Sequence, residues 1–365
     1  MNVTAAVPRS RPGRLRRLVR AVVAPDVFDF WAGRVNRTWA WERPLARIVE
    51  RRAESADAVT LVLKPNRHWR GFRAGQHVNI GVEIGGARLT RSYSLSEAPR
   101  ADGRIAITVK RIEGGRMSAH LHDRACVGDV ITLDQAFGEM TWREADGGWL
   151  FLAAGNGITP LMALVREHAA RGMPVPLTLL YWARTREELC FADELLKLSD
   201  AHANFTVHCL LTRETDGGDA PQGRIDAAQL SARVPDLATR HVYACGPGGF
   251  VETARTLASG AARSFQAEAF TPLPQAFEDS GEAQVTLQRS GRQLAVPRGQ
   301  SLLAALEAAG LKPASGCRMG ICNTCACGKA SGVTRDLNTG DVQAEPVSAL
   351  RLCINAAAAD LVLDL

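Results

Sequence analysis

Apolar and polar positions change rhythm along this chain. From about residue 42 to 145, short runs such as Val59–Leu63, His77–Ile80, Ile105–Val109 and Val130–Leu133 are broken by Gly and Asp. Such punctuation predicts the strands of a small antiparallel barrel. From about 147 the runs Trp149–Ala154, Pro176–Tyr181, Phe205–Leu211 and His241–Ala244 alternate with helical stretches at Leu161–Ala170 and Glu187–Leu198. That alternation predicts a parallel sheet flanked by helices. Residues 271–283, with Pro272, Pro274, Asp279, Ser280 and Gly281, read as a linker. A third unit then shows two short strands around Ser290–Gly291, a helix from Ser301 closed by Gly310, a cysteine-bearing loop and a last strand near 361–365. The fold expected is therefore multidomain: a basic extension (1–41), an antiparallel β-barrel (42–145), an α/β parallel-sheet domain (146–270) and, after the linker, an α+β domain (284–365).

A length of 365 residues agrees with two or three domains. No apolar run approaches the roughly 20 residues that cross a bilayer, and the opening stretch lacks the core and cleavage site of a secretory signal. The expected location is cytoplasmic. The formal charge of +6 is uneven, because residues 1–20 carry six arginines and no acid while the remainder is near balance. Without an interleaved basic and aromatic surface, nucleic-acid binding is not expected. Leu15, Leu18, Val19, Val22 and Val23 fall at helical spacing between the arginines until Pro25. This segment suits peripheral contact with an anionic membrane or a partner, or packing on the body of the protein.

Four of the nine cysteines carry a pattern. Cys317, Cys322 and Cys325 follow C-x4-C-x2-C, and Cys353 comes after 27 intervening residues. This is the plant-type [2Fe–2S] spacing. Zinc sites more often pair C-x2-C knuckles or add histidine, and the last histidine here is His241. Gly316 and Gly320 let backbone N–H groups turn toward the sulfurs. Cys327 sits outside this spacing and reads as structural. A cluster of this class works near about −400 mV and moves one electron, so a hydride donor cannot feed it directly.

Upstream, Arg91-Ser92-Tyr93-Ser94 ends a strand-like run, and Gly115-Arg116-Met117-Ser118 opens a helix whose unpaired N–H groups suit a phosphate. In Ala154-Gly155-Asn156-Gly157-Ile158-Thr159-Pro160 a strand turns through glycines into a helix, and Cys245-Gly246-Pro247 ends a later strand. Both places allow a nucleotide to approach the backbone at the strands' carboxyl ends.

Together these motifs resemble the ferredoxin–NADP reductase superfamily, with R-x-Y-S, G-x-x-S-x-x-L, G-x-G-I-T-P and C-G-P in order, followed by a plant-type ferredoxin (β-grasp) domain. The likeness covers residues from about 42 to 365, in the arrangement of phthalate dioxygenase-type reductases and of those that feed bacterial fatty-acid desaturases. The Arg-rich start and the Gly316–Cys322 loop make it most similar to the mycobacterial donors of stearoyl-CoA desaturase. A proline often follows the last ligand in such ferredoxins; here Ile354-Asn355-Ala356 stands instead.

The resemblance implies that Arg91 neutralises flavin phosphate, that Ser92 and Tyr93 line the cofactor, and that Ser94 faces the flavin N5 region. Lys110, Gly115, Met117 and Ser118 would complete that site. Thr159 and Cys245 would stand beside the nicotinamide, over Gly155, Gly157, Gly246 and Pro247, with Phe270 covering the flavin face. Ser94, Thr159 and Cys245 are thus the expected catalytic residues. FAD suits most of the superfamily and FMN the phthalate type. Arg184 after the second strand of the parallel sheet favours NADPH over NADH, although Glu187 and Glu188 follow it. Electrons would pass from NAD(P)H through flavin and cluster to a terminal oxygenase or membrane desaturase, with a desaturase preferred and a ring-hydroxylating dioxygenase, alkane hydroxylase or cytochrome P450 system as the alternative. Arg318, beside Cys317, is expected on the acceptor's docking surface.

Overall fold

The computed structural model describes residues 24–143, 146–214, 223–271 and 280–365. The arginine-rich segment through residue 23 and most of the expected linker lie outside them. A helix, α1 (Pro25–Val35), opens the described chain with proline in its first turn.

The barrel is built from β1 (Leu45–Ser55), β2 (Ala58–Pro65), β3 (His77–Ile84), β4 (Ala87–Ser94), β5 (Ile105–Lys110) and β6 (Val130–Leu133). Helix α2 (Arg116–Asp123) lies between β5 and β6. The strand order is β4-β3-β6-β1-β2-β5, antiparallel throughout. A bridge from Leu95, just after β4, to Ile107 in β5 joins the two edges at one point and brings the sheet round into a barrel. Ile48, Leu61, Leu63, Ile80 and Ile107 fill the interior.

The second sheet takes β7 (Gly148–Ala154), α3 (Ile158–Ala170), β8 (Leu177–Ala183), α4 (Ala192–Ala201), β9 (Phe205–Leu211), α5 (Ala227–Arg233), β10 (Arg240–Gly246), α6 (Gly248–Ala258) and β11 (Ser264–Ala269). Its order is β11-β10-β7-β8-β9, all parallel. From β7 the chain winds toward β8, and from β10 toward β11 on the other side. The carboxyl ends of β7 and β10 therefore flank a switch point, where open parallel sheets bind ligands. The helix expected from Glu187 begins only at Ala192. Residues Arg186–Glu188 form a short 3₁₀ turn, Leu189 and Cys190 tuck into the core, and Phe191 takes a left-handed turn before α4 starts.

The third sheet comprises β12 (Glu282–Leu287), β13 (Gln293–Pro297), β14 (Ala326–Asp336), β15 (Val342–Gln343), β16 (Val347–Arg351) and β17 (Asn355–Leu363). Its path is β13-β12-β17-β14-β15, with β16 on β14. Only β12 and β17 run parallel; the other pairs are antiparallel. Helix α7 (Leu302–Ala308) starts where the Ala304 N–H donates to the Ser301 hydroxyl at 3.3 Å, and it buries Leu302, Leu303 and Leu306 against the sheet. The last strand is longer than the alternation near 361–365 predicts, because its alanine-rich first half carries little strand signal. No helix among the described residues is long and apolar enough to cross a membrane.

The turn after β7 depends on close packing. A Cβ on Gly157 would lie 1.9 Å from the Cys245 carbonyl oxygen. Gly157→Ala must separate the ends of β7 and β10, so about 1–3 kcal/mol of destabilisation is expected. Calorimetry of the cofactor-loaded protein should show a lower melting temperature, and an unchanged transition would contradict this packing.

Candidate functional site

All three domains contribute to one cleft of about 520 Å³, within the roughly 300–1,000 Å³ usual for cofactor sites. Arg91, Ser92, Tyr93 and Ser94 reach it from β4, and Lys110, Gly115, Met117 and Ser118 from β5 and the start of α2. Thr159 enters from the start of α3, and Phe270 from the residue after β11. Cys317, Arg318, Met319 and Ile321 enter from the cysteine loop.

The charges in the cleft call for an anion. Arg91 donates to the Thr90 carbonyl at 2.8 Å and forms no ion pair among the described residues. Burial and the nearby Arg318 charge hold its pKa below the ordinary arginine value. A guanidinium without an ion pair at the cleft suits a phosphate-bearing ligand. Tyr93 is pushed up by burial, so its phenol stays neutral. The Ser118 hydroxyl accepts from the Ile112 N–H at 3.2 Å and donates to the Gly115 carbonyl at 3.2 Å, which shapes the loop before α2. Asn156 Oδ1 is buried at the cleft without a hydrogen-bond partner. An orphaned acceptor of that kind fits a ligand N–H.

Other expected residues stand differently. The Lys110 ammonium bonds Glu188 at 2.8 Å and Asp57 at 2.9 Å. Burial opposes its charge, but these bonds outweigh burial and raise its pKa. Its charge is thus committed to carboxylates that join the barrel to the parallel sheet. Arg184 is half-exposed outside the cleft and pairs with Glu188 at 2.9 Å. Cys245 lies wholly buried beneath the cleft, its sulfur 3.2 Å from Met140 Sδ, and burial holds its thiol well above the ordinary range. Gly155, Gly157, Gly246 and Pro247 form the turns under Thr159, whose hydroxyl donates to the Asn156 carbonyl at 2.9 Å. Arg318 is not a free surface cation: it forks onto Glu307 at 2.6 and 2.8 Å and lines the cleft.

The cysteine loop is wound to point N–H groups at sulfur. Arg318, Gly320 and Asn323 all have positive φ, at 60°, 76° and 55°. The Met319, Ile321 and Cys322 N–H groups each donate to Cys317 Sγ at 3.3 Å, the Cys317 N–H to Cys322 Sγ at 3.2 Å, and the Gly320 N–H to Cys353 Sγ at 3.2 Å. Hydrogen bonds from Cys322 and Cys353 hold the Cys317 thiol far below its usual range, and one from Cys353 draws Cys325 down to about 6. Among the described residues no three His, Cys, Asp or Glu groups are set to hold a single ion. The four thiols instead lie in one run of contacts, Cys322 with Cys317, Cys317 with Cys353 and Cys353 with Cys325. Four converging sulfurs, three of them already bonded by amides, fit a plant-type two-iron cluster, which takes four thiolates.

Sequence reasoning missed the residues that join the parts. Asn79, buried in β3, donates to Asp134 at 3.0 Å and to Thr324 at 3.2 Å, inside the cysteine loop, and its carbonyl accepts from the Ser92 hydroxyl. His77 hydrogen-bonds Glu268 across the barrel and the parallel sheet, with both side chains nearly buried. The available signal was a polar side chain inside an otherwise apolar run, His77-Val78-Asn79-Ile80.

Comparison with known proteins follows this division. Residues 45–142 match the model of an oxidoreductase FAD-binding domain, 151–256 an oxidoreductase NAD-binding domain, and 285–353 a 2Fe-2S iron-sulfur cluster binding domain. An NADPH oxidoreductase of Mycobacterium tuberculosis is 33% identical, over 99% of this chain and 95% of its own. The chain belongs to the NAD(P)H-dependent flavin and [2Fe–2S] reductases. The reductase is also similar to the solved structure of phthalate dioxygenase reductase, at 26% identity and TM-score 0.62, covering 88% of this chain and 97% of that one. A glycine betaine monooxygenase reductase subunit of Pseudomonas aeruginosa is 27% identical over 90% of this chain and 97% of its own. The cofactors of the present chain, by its three matched domains, are FAD, a [2Fe–2S] cluster and NAD(P)H.

If Arg91 meets the flavin phosphate, Arg91→Ala should weaken FAD retention by about tenfold or more, the loss of one charge-assisted hydrogen bond. Flavin in the filtrate after dilution measures this, and unchanged retention would remove Arg91 from the site.

Proposed function

We propose that this reductase draws electrons from NADPH and delivers them singly to an oxygen-activating enzyme, with a fatty-acyl desaturase as the acceptor. The carrying observation is the single cleft shared by the β4 side chains, Thr159 and the Cys317–Ile321 segment. An arrangement in which the flavin strand and the cluster loop share a wall serves electron transfer within one chain.

Bound there, FAD supplies the change from two-electron to one-electron chemistry, and the cluster a one-electron carrier. The protein's part is to bind and orient. Arg91 and the start of α2 hold phosphate, Ser92 and Tyr93 line the flavin, and Ser94 faces its reacting edge. Thr159, over the turns at Gly155, Gly157, Gly246 and Pro247, places the nicotinamide, and Phe270 covers the flavin until it arrives. Cys245 acts from beneath, fixing the height of the β10 turn. Cys317, Cys322, Cys325 and Cys353 hold the cluster, with loop N–H groups lowering the cost of negative sulfur. Arg184 binds the 2′-phosphate of NADPH in exchange for Glu188.

The resemblance to desaturase donors supports a desaturase, and this reading places the reductase in the cytoplasm beside its acceptor's membrane, with the arginine-rich N-terminus as a peripheral contact. A second reading, service to a soluble oxygenase, is favoured by the names of relatives such as the phenoxybenzoate dioxygenase subunit of Ectopseudomonas oleovorans, 33% identical over 80% of this chain. Stearoyl-CoA desaturation by acceptor-containing membranes, driven by this reductase and NADPH, separates the two. In Cys322→Ser, ferricyanide reduction by NADPH should persist while cluster-dependent cytochrome c reduction falls to background. Retained cytochrome c reduction would show that electrons leave by another route.

A further inference from the structure

The chain from Lys64 to Val82 holds Lys64, Arg67, Arg70 and Arg73 and no Asp or Glu. Arg67, Arg70 and Arg73 recur at every third position of the loop between β2 and β3. All three are exposed and form no ion pair among the described residues. Trp69 and Phe72, which alternate with them, pack on the barrel interior, so the loop turns its apolar side in and its cations out. The loop is firmly held. The Asn66 side-chain amide donates to the Thr38 and Arg43 carbonyls at 2.9 and 3.0 Å. The Arg70 N–H donates to Gln135 Oε1 at 3.1 Å, and the Arg73 N–H to Gln76 Oε1 at 2.9 Å. Like charges fixed side by side without an acid repel one another, and a negative partner relieves that repulsion.

Position decides which partner this row fits. Gln135 donates back to the His68 carbonyl at 2.8 Å. Its neighbour Asp134 accepts from Asn79, whose amide also reaches Thr324 between Cys322 and Cys325. The arginine loop and the cluster loop thus rest on the same short run of barrel residues. On the cluster loop, Cys317 and Ile321 line the cleft while Asn323 is exposed, so one side of that loop is open to a partner. Arg37 and Trp39, on either side of the Thr38 that Asn66 holds, are exposed as well. Arg and Trp are the side chains that most often anchor protein interfaces. A bilayer would meet the cations too, but only a protein partner also takes the electron that the neighbouring cluster carries.

We propose that Arg67, Arg70 and Arg73 form the docking face for the electron acceptor, and that the acceptor is a protein with an acidic patch beside its own redox centre. This rests on the reading that single electrons leave for a partner protein, and adds the charge by which that partner is recognised. Redox encounters are small and transient, and charge sets mainly how fast they form.

Cytochrome c offers both charges on one redox centre: the native protein is basic, and succinylation turns its lysines into carboxylates. The full-length, cofactor-loaded reductase should reduce the succinylated form about tenfold or more faster than the native form at low salt, and the difference should close as salt is raised. Arg67→Gln, Arg70→Gln and Arg73→Gln combined should slow reduction of the succinylated form about tenfold or more, while ferricyanide reduction by NADPH stays as in the parent. Lysine at the same three positions should restore the rate, because the charge does the steering. An unchanged rate in the glutamine variant would overturn the docking face and leave electron delivery standing. Reduction of ferricyanide but of neither cytochrome would overturn delivery itself, and the face with it. Binding to phosphatidylglycerol vesicles that the glutamine variant loses, with its cytochrome rates intact, would assign the arginines to lipid instead.

Discussion

The side-chain amide of Asn79 is the tie on which the electron path depends. It sits buried in β3 and bonds Asp134, Thr324 and Ser92. Ser92 belongs to the strand that faces the cleft, and Thr324 stands between Cys322 and Cys325. One amide thus fixes the strand and the loop relative to each other. Inside a protein such a bond is costly to leave unmade, so the network favours one docking of the two parts. Gly316 fits the same place, since a Cβ there would lie 3.1 Å from the Asn79 nitrogen and 2.9 Å from Cys322 Sγ.

A second tie closes the cleft from the nucleotide side. His77, two residues before Asn79 on the same strand, bonds Glu268 on β11, and Phe270 follows directly with its N–H on the Gly246 carbonyl at 2.9 Å. Lys110 and Arg184 share Glu188 and Asp57 at the outer side of the same junction. The barrel is therefore the frame: one strand reaches both the nucleotide sheet and the cluster loop.

Much of this was legible in the residues. The strand runs at Val59–Leu63 and Val130–Leu133 fall on β2 and β6, because alternation and glycine punctuation report local structure directly. The cysteine spacing located the cluster loop, because ligand geometry constrains sequence over a short span. What stayed hidden depends on contacts far apart in the chain. Asn79 and Thr324 are 245 residues apart, and His77 and Glu268 are 191 apart; no periodicity encodes such a pair. The ion pairs that Lys110 and Arg184 make with Asp57 and Glu188 stayed hidden too, because a free cation and a paired one look alike in sequence. Arg318, expected on the docking surface, pairs with Glu307 and lines the cleft, a contact that no local pattern encodes.

The central claim is that one cleft hands electrons from flavin to cluster within a single chain. Stopped-flow mixing of the anaerobic, fully loaded reductase with excess NADPH measures this directly, following flavin bleaching and the visible band of the cluster. Cluster reduction should follow flavin reduction with a first-order rate that does not change with protein concentration. A cluster rate that rises in proportion to protein concentration would mean that electrons travel between molecules, and would contradict it.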